Sequence, residues 1–398
     1  VTGELAGVRI AVDARYLGRP GMGIHAYLVA VLDALCDHGA RPTLLVDQTT
    51  RLDPRYDDLE QVVLWSPSRR AFEQAAVAWH LWRRRDYDAY FAPANTGVPL
   101  LCAKRRRRVV VTIHDLIPLH LPRRYAREPL AYLGYLVGIA TSVLRADVVL
   151  VSTAHGAREI GRTFHRHAVV TGQPLPRMLR VAPEAGPPAP AVDRSAGTGE
   201  PVRPCRRYPY VLYNGGADAR KNVDQLLLGF ALFRESHRDH ELVVVGHGFE
   251  RYEKLVRDRG IDGVVFAGYV EEQEKWALVR GATALVYPSA LEGYGLPIVE
   301  GFLGGTVVVS SGHEVLREVA GGAAVVLDAV SAESIAGALD RIAAMDDAER
   351  SAWRTRGTEQ LARLLDRWRE DLLVAAFAPV VDPARPEAGP GPDGRETT

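Results

Sequence analysis

Short apolar runs rich in Val, Ile and Leu alternate along this chain with longer stretches in which apolar residues recur every three or four positions. The runs fit buried strands, the longer stretches fit helices lying on them, and their alternation predicts βαβ units around a parallel sheet. Strands are expected at 8–14 (VRIAVDA), 43–47, 62–65, 89–93, 109–113 and 147–152, with helices between most of them, notably 24–38 and 129–145. A second set is expected at 210–214 (YVLYN), 241–246, 263–268, 283–288, 306–311 and 323–328. Each half therefore reads as a complete doubly wound α/β domain. No internal repeat beyond that duplicated architecture stands out.

Breaks in the pattern divide the chain. Residues 1–183 form a first domain, 184–209 a Pro-, Gly- and Ala-rich linker or mobile loop without periodicity, and 210–360 a second domain. An amphipathic helix follows within 361–378, in ARLLDRWREDLLVAAFAPV, and 379–398 has the composition of a disordered tail. Open parallel sheets bind ligands in the crevice at the carboxyl ends of their strands. Two such domains facing each other make a cleft between them, so residues just after strands are the ones to weigh.

Length and composition narrow the class. The chain has 398 residues, enough for two domains that each bury a full core. No apolar run reaches the ~18 residues of a membrane span, and the start shows no basic-then-apolar leader, so a cytoplasmic protein is expected. Cys36, Cys102 and Cys205 are widely spaced and read as buried thiols. Net charge is zero overall, but residues 1–182 hold 25 Arg and Lys against 16 Asp and Glu, a surplus of 9. A basic first half would attract an anionic acceptor or the headgroups of an inner membrane face, or dock on the acidic second half. No nucleic-acid partner is indicated.

The second half carries two clusters of candidate chemistry. After YVLYN comes Gly215-Gly216-Ala217-Asp218-Ala219-Arg220-Lys221-Asn222, a glycine turn expected to lead straight into a helix. Such a turn offers free amides to an anion, and Arg220 and Lys221 add two charges, although Asp218 capping a helix between solvated cations would look the same. Only four lysines occur in the chain, which singles out Lys221. The second cluster, Ser289-Ala290-Leu291-Glu292-Gly293-Tyr294-Gly295-Leu296-Pro297-Ile298-Val299-Glu300, follows the strand TALVYP. Its glycines and proline imply a tight strand-to-helix crossover, and Glu292 and Glu300 can face one cleft and accept hydrogen bonds from vicinal hydroxyls.

GGADARKN followed some seventy residues later by EGYGLPIVEGFLGG closely resembles the donor-binding domain of family 4 glycosyltransferases of GT-B fold. The resemblance implies two Rossmann-like domains facing a central cleft and transfer of a sugar from a nucleotide diphosphate sugar, linked to UDP, GDP or dTDP, to an acceptor hydroxyl with retention of configuration. It implies no cofactor and no metal. Arg220 and Lys221 would meet the diphosphate, Glu292 the transferred sugar, Gly295 and Leu296 a phosphate, and Glu300 the ribose. Backbone around Tyr269 and Val270 would face the base, Gly216 and Gly23 would lie near the phosphates, and the 361–378 helix would cross back to the first domain. The acceptor would be a small molecule, a lipid-linked group or a glycan, as in polysaccharide or secondary-metabolite synthesis.

In the first half, Gly21 and Gly23 begin a G-x-G pattern without the third glycine of a dinucleotide site. His114-Asp115, at the end of VVVTI, suggest an acid–base pair in which the carboxylate orients the ring, though such a pair is often structural. HDLIPL resembles the family's active-site segment, which implies that His114 contacts the donor sugar. Tyr16, Asn95, Thr96 and His120 follow strands and are candidates for the acceptor side, as are Asp115 and, in VSTAHGAREI, Ser152 and Arg158. Three features receive plainer readings: Asp86-Tyr87-Asp88 as a metal signature out of place, Lys104 to Arg108 as a solvated loop, and Trp79 with Trp82 as core packing. Two alternatives compete with sugar transfer. A nucleotide-sugar 2-epimerase would convert donor without acceptor, and a non-catalytic partner subunit would bind nucleotide without turnover.

Overall fold

In a computed structural model, the structure describes residues 4–19, 23–101, 107–122, 129–179 and 209–378. The expected linker, apart from Pro209, and the expected tail lie outside them, as do Cys102, Cys205 and Lys104 to Arg106. The first sheet comprises β1 (Arg9–Asp13), β2 (Arg41–Val46), β3 (Glu60–Val63), β4 (Ala89–Ala92), β5 (Arg108–Thr112), β6 (Val148–Val151) and β7 (Val169–Val170). They run in the order β3-β2-β1-β4-β5-β6-β7. The second comprises β8 (Tyr210–Asn214), β9 (Glu241–Val245), β10 (Val264–Gly268), β11 (Ala284–Tyr287), β12 (Val307–Ser310) and β13 (Val325–Val326), in the order β10-β9-β8-β11-β12-β13. The strand pairs are parallel throughout. This explains the continuous apolar runs, since both faces of each sheet are covered by helices. Strand order reverses between β1 and β4 and again between β8 and β11, which opens a crevice at each of those points.

Two helical layers flank the first sheet. On one side, helix Gly23–Asp37 packs with Tyr27, Val31 and Leu35 inward, joined by Leu373, Val374 and Phe377 of helix Glu370–Phe377. On the other lie a helical run from Arg69 to Arg83, interrupted by a π-turn at Phe72–Ala76, and helices Pro129–Arg145 and Ala154–Phe164. Their inward residues Phe72, Val77, Leu81, Ile139, Val143 and Ile160 share a single core.

Several expectations need correction. Trp79 and Trp82 are not in the core: Val77 and Leu81 point inward, while the two indoles stack on each other in solvent, 5.1 Å apart. The helix expected within 361–378 is two helices, Asp347–Asp366 and Glu370–Phe377, broken at Arg367 to Arg369 where the Arg369 amide bonds the Thr171 carbonyl at 2.8 Å. Cys36 is exposed. Arg107 is not solvated but buried, donating to the carbonyls of Leu81 (2.5 Å) and Arg84 (3.2 Å).

Candidate active site

The site grows from the ends of β8 and β11, neighbours at the second sheet's crevice. Beyond β8, Tyr213 Oη donates to the Gly216 carbonyl (2.8 Å) and steadies the glycine turn. The turn does not run straight into a helix. Asp218 caps a short 3-10 turn Ala219–Lys221, and Asn222 takes a left-handed φ of 50° before helix Val223–Ser236 begins. This detour aims Arg220 and Lys221 back toward β11. Arg220 Nη1 lies 2.6 Å from Glu292 Oε1 and also donates to the Leu291 carbonyl. The same carboxylate oxygen accepts from Tyr287 Oη (2.7 Å) and Ser289 Oγ (2.8 Å), and Lys221 Nζ stands 4.0 Å away. Burial pulls the Lys221 ammonium below its ordinary 10.5, an effect only partly countered by Glu292. For Arg220 burial also opposes the charge, but Glu292 together with Tyr287 and Asp218 raises the pKa on balance.

Gly295, with φ 102°, turns the chain into helix Leu296–Leu303, and Pro297 supplies a preset φ in the first turn. One helical turn on, Glu300 accepts from Asn214 Nδ2 (2.7 Å) and from Lys275 Nζ (3.0 Å), and Lys275 is also paired with Glu272 (2.9 Å). Burial works against the Lys275 charge, yet Glu300 and Glu272 raise its pKa. Lys275 was not singled out from sequence, although the scarcity of lysine that marks Lys221 marks it equally. Asn214, as the last residue of a strand, gave no signal beyond its position.

The first domain closes the other wall. An added Cβ at Gly293 would stand 2.4 Å from the His114 carbonyl oxygen, so the two domains touch at a place only glycine fits. His114 Nε2 donates to the Pro93 carbonyl (2.8 Å), which leaves Nδ1 as the acceptor nitrogen, and burial holds the ring below its ordinary 6.5 and neutral. The expected orientation of His114 by Asp115 is not seen. Asp115 Oδ1 accepts from the Ile117 amide (3.1 Å), burial raises its pKa, and the histidine is braced through its own amide by Asn95 Oδ1 (2.8 Å) and edge-on by Tyr27.

These walls enclose a cleft of about 700 Å³. It brings together Gly23, His114, Asp115 and Ser152 from the first domain with Gly216, Arg220, Lys221, Glu292 and Glu300 from the second. Gly295, Leu296, Tyr269 and Val270 complete the set, and the Tyr269 ring stacks on His247 at 5.5 Å with only 5° between the planes. Other candidates stand elsewhere. Asn95 sits behind His114. Tyr16 and Thr96 both accept from Arg69 Nη2, beside the buried Asp13–Arg15–Glu73 cluster, and Tyr16 lines a separate pocket of about 220 Å³. His120 pairs with Glu159 at 2.5 Å, and Arg158 with Glu314 at 3.5 Å beside a second interdomain cavity. Asp86 is bound by Arg9 and Arg84, and among the described residues no group of His, Cys, Asp and Glu is arranged to hold a metal ion.

Two parallel-sheet domains with this cleft define the GT-B class, and solved structures share the arrangement. WaaG, a glycosyltransferase involved in lipopolysaccharide biosynthesis, superposes with a TM-score of 0.67 at 16% identity over 93% of this chain and 99% of its own. Sucrose-phosphate synthase from Thermosynechococcus elongatus gives 0.66 at 18% over 92% and 96%. Residues 204–360 match the family model of glycosyl transferases group 1. O-antigen chain mannosyltransferase B of Escherichia coli is 28% identical over 291 residues, 70% of this chain and 71% of that protein. The serotype-specific mannosyltransferase WbdA of Escherichia coli is 25% identical over 223 residues, and the match spans only 26% of its length. The chain is a glycosyltransferase of GT-B fold whose residues 204–360 match the group 1 model, and it takes its sugar from a nucleotide-sugar donor.

Proposed function

We propose that the chain transfers a mannosyl residue, with retention of configuration, from a nucleotide diphosphate donor to a hydroxyl of a growing surface glycan. The supporting observation is that Arg220, Lys221, Glu292 and Glu300 converge on one cleft opposite His114. The mannose and glycan assignments rest on the mannosyltransferase relatives.

Arg220 and Lys221 neutralise the diphosphate, and the amides at the start of helix Leu296–Leu303 receive one of its phosphates. Glu300 binds the ribose hydroxyls, held in place by Asn214 and Lys275. The parallel rings of Tyr269 and His247 form a platform for the base. Glu292, its Oε1 fixed by Tyr287, Ser289 and Arg220, and His114, presenting Nδ1, orient the sugar hydroxyls. In the transfer, the bond from the anomeric carbon to the phosphate oxygen breaks and the acceptor oxygen bonds the same face. The acceptor proton passes to the departing phosphate oxygen. Stabilising that departing charge is the main catalytic task.

A thermal-shift screen with UDP, GDP and dTDP and their sugars tests the donor site. Stabilisation by at least one nucleotide, lost in Arg220→Ala and Glu300→Ala, is expected; no response to any would overturn the assignment. Product analysis with GDP-mannose and mannose-terminated glycan acceptors tests the rest.

A further inference from the structure

A second cavity, of about 740 Å³, opens between the domains. Ser152 and Tyr294 line both this space and the donor cleft, so the two adjoin. Three parts of the chain build its walls. The first domain supplies the ends of β6 and β7 and the start of helix Ala154–Phe164, and the second supplies helix Glu314–Ala320. The third part is the break at Arg367 to Arg369, where the chain returns to the first domain. That break is firmly seated. Besides the bond from the Arg369 amide to the Thr171 carbonyl, Gly172 takes a φ of 74° and lies so close that an added Cβ would stand 2.6 Å from the Arg367 carbonyl oxygen.

Pairing within these walls is uneven. Arg158 and His155 take up Glu314 at 3.5 Å and 2.8 Å, the Ala154 and His155 amides take up Glu318, and Arg369 pairs with Asp371 at 2.6 Å. Arg317 and Arg367 remain. Arg317 Nε donates to the Gly312 carbonyl (2.7 Å) and Arg367 Nη1 to the Glu318 carbonyl (3.2 Å), yet among the described residues neither meets a carboxylate. Those backbone bonds orient both guanidinium groups and leave most of their N–H groups for another acceptor. Tyr294 adds a hydroxyl. The residue is only 9% exposed, and among the described residues its Oη has no hydrogen-bond partner. The charges that act on it are Arg367 and Glu318, both in the second cavity, so the phenol is turned that way. Burial raises its pKa and keeps it a neutral donor. Buried polar groups are nearly always paired, so an acceptor placed in this cavity would complete the tyrosine.

We propose that the second interdomain cavity binds a small phosphate monoester, whose phosphoryl oxygens accept from Arg317, Arg367 and Tyr294. Two guanidinium groups and a hydroxyl with no free carboxylate beside them suit a compact anion, and the planar fork of arginine matches phosphate through paired N–H···O contacts. A bare phosphate fills only part of the space. Val170, Val319 and Leu364 line the remainder with Ser152, a mixed wall that suits the carbon skeleton and hydroxyls of a sugar phosphate. Bound there, the anion joins an arginine of the second domain to one at the crossover into the first, and so ties the domains where the chain passes between them. Arg220 and Lys221 line the donor cleft and not this cavity, so the assignment is independent of the donor-site reading.

Calorimetric titration of the full chain with mannose 6-phosphate, inorganic phosphate and mannose tests it, in the wild type and in Arg220→Ala, whose donor cleft has lost a phosphate-binding charge. Mannose 6-phosphate is expected to bind both forms with similar affinity, inorganic phosphate more weakly, and mannose not at all. Arg317→Ala and Arg367→Ala each weaken the sugar phosphate about tenfold, the size of a lost charge-assisted hydrogen bond. Tyr294→Phe, which removes a single oxygen, weakens it roughly fivefold, as for a neutral hydrogen bond. Thermal melts without ligand establish that each variant is folded, and Tyr294→Phe carries the test if an arginine variant is not. Four results would overturn the proposal: no binding of either phosphate, binding lost in Arg220→Ala, mannose binding as tightly as its phosphate, or affinity unchanged in Tyr294→Phe and both arginine variants.

Discussion

Glu292 and Glu300 lie eight positions apart in one motif, yet their surroundings prepare them differently. Glu292 is braced by two hydroxyls and Arg220; Glu300 is held between an amide and an ammonium. Lys275→Met removes the charged partner of Glu300 while leaving Arg220 and Lys221 in place, and on the proposed reading the donor KM is expected to rise about tenfold with kcat changed less, the size of a lost charge-assisted hydrogen bond. Steady-state kinetics against donor concentration check this. Arg220→Ala is expected to lower kcat by about 10²-fold or more, comparable to removing one donor from a site of developing negative charge. Lys221 supplies a pH signature. Because burial lowers its pKa, its charge is lost at a lower pH than an ordinary lysine's, so kcat/KM, which reports the free enzyme, falls early on the alkaline side. In Lys221→Arg, that alkaline limb should move to higher pH in a pH–rate profile.

At the scale of elements, contacts across the cleft set how near the domains come. The carboxylate of Glu318, on helix Glu314–Ala320 of the second domain, accepts from the Ala154 (2.9 Å) and His155 (3.1 Å) amides at the start of helix Ala154–Phe164 in the first. It acts as a cap supplied by another domain. Glu318→Ala is expected to cost about 1 kcal/mol, read as a lower Tm. Gly293→Ala places a methyl against the His114 carbonyl and holds the walls apart. Turnover should drop at least about tenfold while nucleotide affinity, measured by calorimetry, stays near wild type. The elements whose outward sides were misread show what periodicity leaves open. Both Trp79/Trp82 and Val77/Leu81 are apolar pairs at helical spacing, and the π-turn just before them shifts the phase of the run, so spacing alone does not say which pair faces the sheet.

Over the whole molecule, helix Glu370–Phe377 fastens the end of the second domain's chain to the first domain. Phe377 is fully buried against Phe91 of β4, with ring centroids 5.3 Å apart, and Arg177 ties Glu370 to Asp37. The Arg177 guanidinium, with Trp368 and His38, holds the Glu370 carboxyl down at about 2 from its ordinary 4.5. A depressed carboxylate stabilises the fold above its unfolded pKa and loses that contribution as pH falls toward the folded one. Glu370→Gln should therefore lower Tm at pH 7 and flatten the loss of stability between about pH 4.5 and pH 2, as followed by thermal melts.

The sequence by itself determined the two doubly wound sheets and the loops that carry the candidate site, because apolar period, glycine turns and charged residues at strand ends are local signals. Glu292, Glu300, Arg220 and Lys221 were legible for that reason. Only the tertiary structure decided that Lys275, 25 positions before Glu300, neutralises it, that Asn95 rather than Asp115 braces His114, and that the helix expected within 361–378 breaks at Arg367 to Arg369 to bond with Thr171. The tertiary structure alone also left Leu130, Leu133, Val137 and Leu144 of helix Pro129–Arg145 exposed. Those outcomes turn on which distant surfaces meet and exclude water. A linear pattern sets how apolar residues are spaced, and the packing of the whole chain sets what each of them faces.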